Sequence, residues 1–273
     1  MNLKTPIIFE SIFILIALIV YFITSNPFFI VNFLYIGTAI SVGLDVMDKN
    51  HRYGRNIIML AVGSYLLFYV GIYQHENISM SGFWYYLFLG VFEAAVIHFL
   101  VAKIIGSFLF GRGWCGYACW TAMILDLLPY KTPKDDRKNW GNFRYVLFVL
   151  ILCFVSTLFI LKVNDLELIM FYLFVLGNLI YYVVGIALAY ILKDNRAFCK
   201  YVCPITVFLK ISSYFSLLRI KVNSYKCNEC MKCIKKCPMD VEILNNSRKR
   251  VNGTECILCL ECVKNCPQNA IKL

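Results

Sequence analysis

Apolar residues along most of this chain neither alternate nor recur at helical spacing; they run on. Six stretches, 6–25, 28–47, 57–73, 83–109, 143–161 and 168–192, are of a length to cross a bilayer, which takes about 20 residues. The third is short for a crossing and the fourth long. The first follows Lys4 and has no small-residue cleavage site after it, so it reads as a retained anchor. Two further apolar segments, 120–128 and 205–218, are too short to span and read as interfacial or re-entrant helices. Beyond them the pattern changes to a polar, cysteine-rich tail. The chain thus divides into a helical membrane region, 1–218, and a small separate unit, 219–273.

Composition agrees: 60% of residues are apolar and 16% charged, against roughly 45–50% and 25% in soluble domains. The net charge of +11 would point to nucleic acid in a soluble protein, but its placement gives another meaning. Lys4 precedes the first span, and Lys49, Arg52 and Arg55 fill the second loop. Residues 110–144 hold six Lys or Arg and everything after 192 holds fifteen, while the other three loops share only Lys162. By the positive-inside rule, six spans then leave both termini and the tail in the cytoplasm of a bacterial-type cell membrane. No nucleic-acid partner is expected.

Thirteen cysteines are present, eight of them in the last 47 residues. Cys227, Cys230, Cys233 and Cys237 read C-x2-C-x2-C-x3-C before Pro238. Cys256, Cys259, Cys262 and Cys266 repeat the run before Pro267. This is the two-cluster bacterial ferredoxin pattern, in which the fourth cysteine serves the other cluster. Cys227, Cys230, Cys233 and Cys266 are therefore expected to hold one [4Fe–4S] cluster, and Cys256, Cys259, Cys262 and Cys237 the second. Zinc sites use two short pairs rather than three-plus-one twice, and a cytoplasmic location disfavours disulfides. Short strands at 220–223 and 270–273 can pair to close an α+β ferredoxin domain. The fold class expected is an all-α polytopic bundle joined to that domain. Its Lys235-Lys236 and Arg248-Lys249-Arg250 runs suit membrane lipid or an acidic redox partner as well as plain solvent.

A second repeat lies upstream. Arg112-Gly113-Trp114-Cys115-Gly116-Tyr117-Ala118-Cys119 recurs as Arg196-Ala197-Phe198-Cys199-Lys200-Tyr201-Val202-Cys203. Cysteines at i and i+4 share a helical face, and two such pairs related by a pseudo-twofold can bring four sulfurs together. Cys115, Cys119, Cys199 and Cys203 are thus candidates for a third iron–sulfur site, with packing cysteines or redox-active dithiols as the alternative. Arg112 and Arg196 precede the pairs equivalently and can offset cluster charge or bond to sulfur. Cys153, alone in the fifth span, reads as a small buried apolar residue.

Within the fourth span lie Glu93, His98 and Lys103. Ionisable groups at that depth are functional candidates. Glu93 and His98 are candidates for a quinone or proton site, on nearby faces of one helix; Lys103 can snorkel to the interface. No phosphate-binding loop or dinucleotide fingerprint occurs.

The paired C-x3-C motifs followed by a two-cluster ferredoxin run resemble the membrane polyferredoxins of the NapH, NosR and CcoG type, from Arg112 onward. In that family the motif reads C-x3-C-P; Cys203-Pro204 matches and Cys119-Trp120 departs. The resemblance implies electron transfer between a cytoplasmic redox protein, such as a ferredoxin or flavodoxin, and a quinone or a membrane or extracytoplasmic subunit, as in quinol dehydrogenase-type oxidoreductases. The alternative is a metal-handling or assembly factor, for example a copper reductase, since soft thiolates suit Cu(I) too.

Overall fold

The computed structural model describes residues 4–91, 94–245 and 253–273. Among the described residues, five helices are long and apolar enough to cross a membrane. They are α1 (Lys4–Thr24), α2 (Phe28–Lys49), α3 (His51–Ser64, prolonged by a π-helical segment Tyr65–Tyr73), α9 (Phe143–Ile160) and α10 (Leu166–Leu192). The outer faces of α1, α9 and α10 carry exposed Ile8, Leu15, Val149, Ile160, Leu179 and Ile191, a surface suited to lipid rather than water. Cys153 is on this exposed surface, not buried as its apolar setting had implied. In a helix that is apolar all round, the sequence does not mark the inward face.

The continuous fourth span expected at 83–109 is not among these five: its residues form α4 (Met80–Leu89) and, after a break, α5 (Ala94–His98), a π-helical segment (Phe99–Ile105) and α6 (Gly106–Phe110). Gly90 ends α4 in the left-handed conformation, φ 69°, a common helix stop because glycine has no Cβ to clash there. Ten residues of α4 reach only about 15 Å, half a bilayer. Gly90 and Val91, where α4 ends, are exposed, while Tyr85, Tyr86, Val96 and Phe99 on either side are buried.

The two short apolar segments are α8 (Trp120–Leu125) and α12 (Thr206–Tyr214). Trp120, Ala122 and Leu125 are buried, as are Thr206 and Leu209, whereas Ile211 and Tyr214 of α12 are exposed. The repeat cysteines do not share one helical face. Cys115 sits in α7 (Gly113–Tyr117), the helix breaks at Ala118, and Cys119 is the residue preceding α8. Cys199 sits in α11 (Ala197–Tyr201), and Cys203 follows it, ahead of Pro204 and α12. Proline cannot continue a helix; in the first copy Ala118 takes φ −134° instead. Both copies are elbows.

At the C-terminus β1 (Lys221–Val222) pairs antiparallel with β2 (Ile271–Lys272), Lys221 opposite Lys272. Between them α13 (Lys232–Lys235) and α14 (Glu261–Lys264) carry Cys233 and Cys262. This region packs against all three basic loops: the His51 ring bonds the Cys259 carbonyl at 2.7 Å, Arg137 donates to the Met239 carbonyl at 3.3 Å, and Lys200 meets Asp240 at 2.5 Å. The basic loops and the cysteine-rich tail therefore occupy one end of the bundle.

Candidate iron–sulfur centres

The two halves of the tail match in backbone as well as sequence. Glu229, Met231 and Asp240 have positive φ, and so do Leu258, Leu260 and Asn269 at the equivalent positions. Six such non-glycine residues, paired by the repeat, are held against their own preference by the loops around the cysteines. Each half also aims one amide at sulfur: Val241 N–H to Cys237 Sγ and Ala270 N–H to Cys266 Sγ, both 3.3 Å. Such bonds favour the thiolate form that iron needs.

Cys227, Cys230, Cys233 and Cys266 line one cavity, together with Pro267 and Ile271. Cys237, by contrast, lies within electrostatic range of Cys256, Cys259 and Cys262. Burial pushes the Cys256 thiol up to about 12 and the Cys237 thiol up to about 11, so binding of iron must displace protons. Among the described residues no three His, Cys, Asp or Glu side chains close to single-ion distance. A tetrahedral zinc, with Zn–S of about 2.3 Å, would need them that close; a cubane holds its thiolates farther apart, at the corners of a larger body.

The elbows bring the second set together. Cys115, Cys199 and Cys203 lie within electrostatic range of one another, and Cys119 within range of all three. The two arginines cross over: Arg196 Nη1 donates to the Cys115 carbonyl at 2.8 Å, and Arg112 Nη2 to the Cys199 carbonyl at 3.4 Å. Arg196 Nη1 also reaches Cys199 Sγ at 3.9 Å. Each repeat's arginine thus fastens the other repeat. Burial lifts the Cys119 thiol to about 12.

Whether a cluster fits among these four cysteines can be tested on the donors around them. Lys103 Nζ, Arg112 Nε, Trp114 Nε1 and Arg196 Nε are all buried without an acceptor. Buried donors are rarely left so, and thiolate and sulfide sulfurs are the acceptors such a site would supply. Charge points the same way. Arg55, Arg112, Arg137, Arg144, Arg196, Lys200 and Lys210 share four carboxylates, Asp126, Asp194, Asp240 and Glu255, and Lys103 has none. The surplus of four positive charges among these residues matches two four-thiolate [4Fe–4S] centres at about −2 each. The residues fit the group.

Glu255, wholly buried, is the hub joining tail to bundle. Its carboxylate meets Arg112 at 2.5 Å, Arg144 at 2.9 Å, Arg137 at 3.0 Å and Lys210 at 3.5 Å. Burial opposes its charge, but the four cations outweigh that and hold the carboxyl down to about 2. Tyr117 adds a 2.9 Å bond to the Leu258 carbonyl. A Cβ on Gly116 would fall well inside van der Waals contact with the Ile257 carbonyl oxygen. Cys115 and Cys199 accordingly share one buried cluster with Cys233, Cys237, Cys259 and Cys262.

Of the membrane-depth residues, His98 is buried against Trp114, ring centroids 5.0 Å apart, with Nε2 unpartnered. Glu93 lies outside the described residues, as does the Arg248-Lys249-Arg250 run. Lys103 does not snorkel: it is 2% exposed. Sequence reasoning missed Glu255 and Gly116 altogether. A glutamate directly before the first cysteine of one run, and a glycine directly after the first cysteine of one C-x3-C pair, were the available signals.

Comparison with known proteins agrees with this layout. Residues 219–267 match a 4Fe-4S dicluster domain, and residues 93–137 and 169–223, which contain the two elbows, match a 4Fe-4S binding domain. The chain is similar to two uncharacterized proteins of Methanocaldococcus jannaschii. It is 28% identical to MJ0749 over 178 residues, 61% of this chain and 67% of the relative, and 28% identical to MJ0750 over 160 residues, 53% and 66%. No solved structure matches. The chain thus carries 4Fe-4S ferredoxin-type domains on a scaffold of membrane-spanning helices, with cysteines for two [4Fe–4S] clusters in its dicluster region.

Proposed function

We propose that the chain is an electron-transfer protein of the polyferredoxin type, with three iron–sulfur centres in series from solvent to membrane. The observation that carries this reading is the hydrophobic core that holds buried cysteines of both the tail, Cys233, Cys237, Cys259 and Cys262, and the elbows, Cys115 and Cys199. Cys227, Cys230, Cys233 and Cys266 hold the outermost centre, where Cys230 is exposed. Cys256, Cys259, Cys262 and Cys237 hold the middle one, against the bundle. Cys115, Cys119, Cys199 and Cys203 hold the innermost. When bound, the clusters supply one-electron transfer. The protein's own part is to fix their order, exclude water from the inner two, and balance their charge.

The outer face suits an acidic soluble redox protein. Lys226, Lys232, Lys235 and Lys236 are exposed there, and Tyr225 is 99% exposed, an aromatic anchor of the kind interfaces use. The positive-inside rule puts this face in the cytoplasm; a reporter fused after Leu273 should be active only inside the cell, and activity outside would overturn that orientation. On the membrane side the acceptor or donor is a quinone, with Glu93 and His98 as its proton-handling candidates, or a partner subunit.

Metal analysis tests the number of centres. Anaerobically purified protein should hold about twelve irons if all three are cubanes, against eight for two. Cys115→Ala with Cys199→Ala should return the count to eight, and Cys237→Ala should damage the centre of Cys256, Cys259 and Cys262. Eight irons in the unaltered chain would remove the innermost centre from this reading; copper on the elbow cysteines would move it to metal handling.

A further inference from the structure

Lys103 is the odd member of the buried charges. Among the described residues, every other cation at the inner centres has a carboxylate within 4 Å. Lys103, 2% exposed, has among them neither a carboxylate nor a hydrogen-bond acceptor. Its ammonium stands 4.9 Å from the Phe99 ring and 4.8 Å from the Trp120 ring, and the charges acting on it are those of Cys119, Cys203 and Cys115. It lies in the π-helical segment Phe99–Ile105, a winding that is rare and recurs at functional sites. A lone buried cation is strongly disfavoured unless an anion answers it. Ring faces alone are a weak answer.

We propose that Lys103 is the counter-cation of the four-cysteine centre and sets its reduction potential. The inference rests on the reading that Cys115, Cys119, Cys199 and Cys203 hold a cluster. Adding one electron to a four-thiolate [4Fe–4S] centre takes its charge from about −2 to −3, with no bond made and no proton required. Lys103 attracts the more negative state more strongly, in surroundings of low dielectric where such attraction is weakly screened. It therefore raises the potential and draws the electron from the dicluster region towards the membrane. Arg112 and Arg196 already answer Glu255 and Asp126, which leaves Lys103 as the cation whose whole charge is directed at the centre.

The test uses the full chain, purified anaerobically in detergent, with iron content and a potentiometric titration followed by electron paramagnetic resonance. Lys103→Met should keep all three centres and shift only one to lower potential: the centre whose signal vanishes in the Cys115→Ala, Cys199→Ala variant. Lys103→Arg should restore the potential most of the way. Should Lys103→Met fail to load the inner centre, loading by Lys103→Arg but not by Lys103→Gln would still support the counter-cation role. Unchanged potentials in a fully loaded Lys103→Met protein would overturn it, as would loss of the centre from Lys103→Arg. An unaltered chain holding only eight irons would instead defeat the underlying three-centre reading, and the inference with it.

Discussion

Glu255→Gln should be among the most damaging single changes in this protein, destabilising the joint between tail and bundle by about 3–5 kcal/mol. The side chain is wholly buried and no water can replace its charge. Glutamine has nearly the same shape, so the packing survives while Arg112, Arg137, Arg144 and Lys210 lose their shared anion. Removing one partner of a buried ion pair costs more than the pair itself contributes, because the remaining charge stays buried and unanswered. Here four cations lose that answer together. The expected result is an earlier thermal transition, faster release of iron, and proteolytic nicking between the bundle and residue 219. Glu255→Asp, which keeps the charge on a shorter arm, should be milder. A Glu255→Gln protein that melts and retains iron like the parent would show that the cluster charges, and not this carboxylate, hold the cations in place.

Short-range spacing made parts of the tail legible: the short strands expected at 220–223 and 270–273 pair, as Lys221–Val222 with Ile271–Lys272, across the two cysteine runs. The elbow repeat was legible for the same reason: Arg, aromatic, Cys, Tyr and Cys recur in register. The clustering of the basic loops at one end followed from charge alone.

What the sequence hid depends on backbone geometry that hydropathy does not record. An apolar run reads as one helix whether or not Gly90 turns left-handed within it. Lys103, expected to snorkel to the interface, lies instead in the π-helical segment 99–105 and is sealed between the Phe99 and Trp120 rings. The i, i+4 argument for Cys115 and Cys119 does not hold as geometry, since the helix breaks at Ala118 and an elbow, not a shared face, relates the two cysteines. Glu255 could not be singled out because its partners Arg112, Arg137, Arg144 and Lys210 are distant in sequence and come from three separate segments.

Gly116 offers a change that separates docking from cluster binding. It stands between Cys115 and Cys119, and its missing side chain is what lets the Ile257 carbonyl, between Cys256 and Cys259, come close. The clash would be with backbone, not with the end of a flexible side chain, so it cannot be relieved by a rotamer change. Gly116→Ala must push the two loops apart, at a cost of about 1–3 kcal/mol for overpacking of this kind, or roughly 5–150-fold in the docked population; Gly116→Val should cost more. All twelve cysteines of the three proposed centres remain, so iron content should be unchanged. In stopped-flow reduction from the soluble side, the outer centres should still reduce at the parental rate, while the elbow centre lags by a factor within that range. Parental kinetics for all centres in Gly116→Val would mean that electrons do not pass through the Gly116–Ile257 contact and that the series order is wrong.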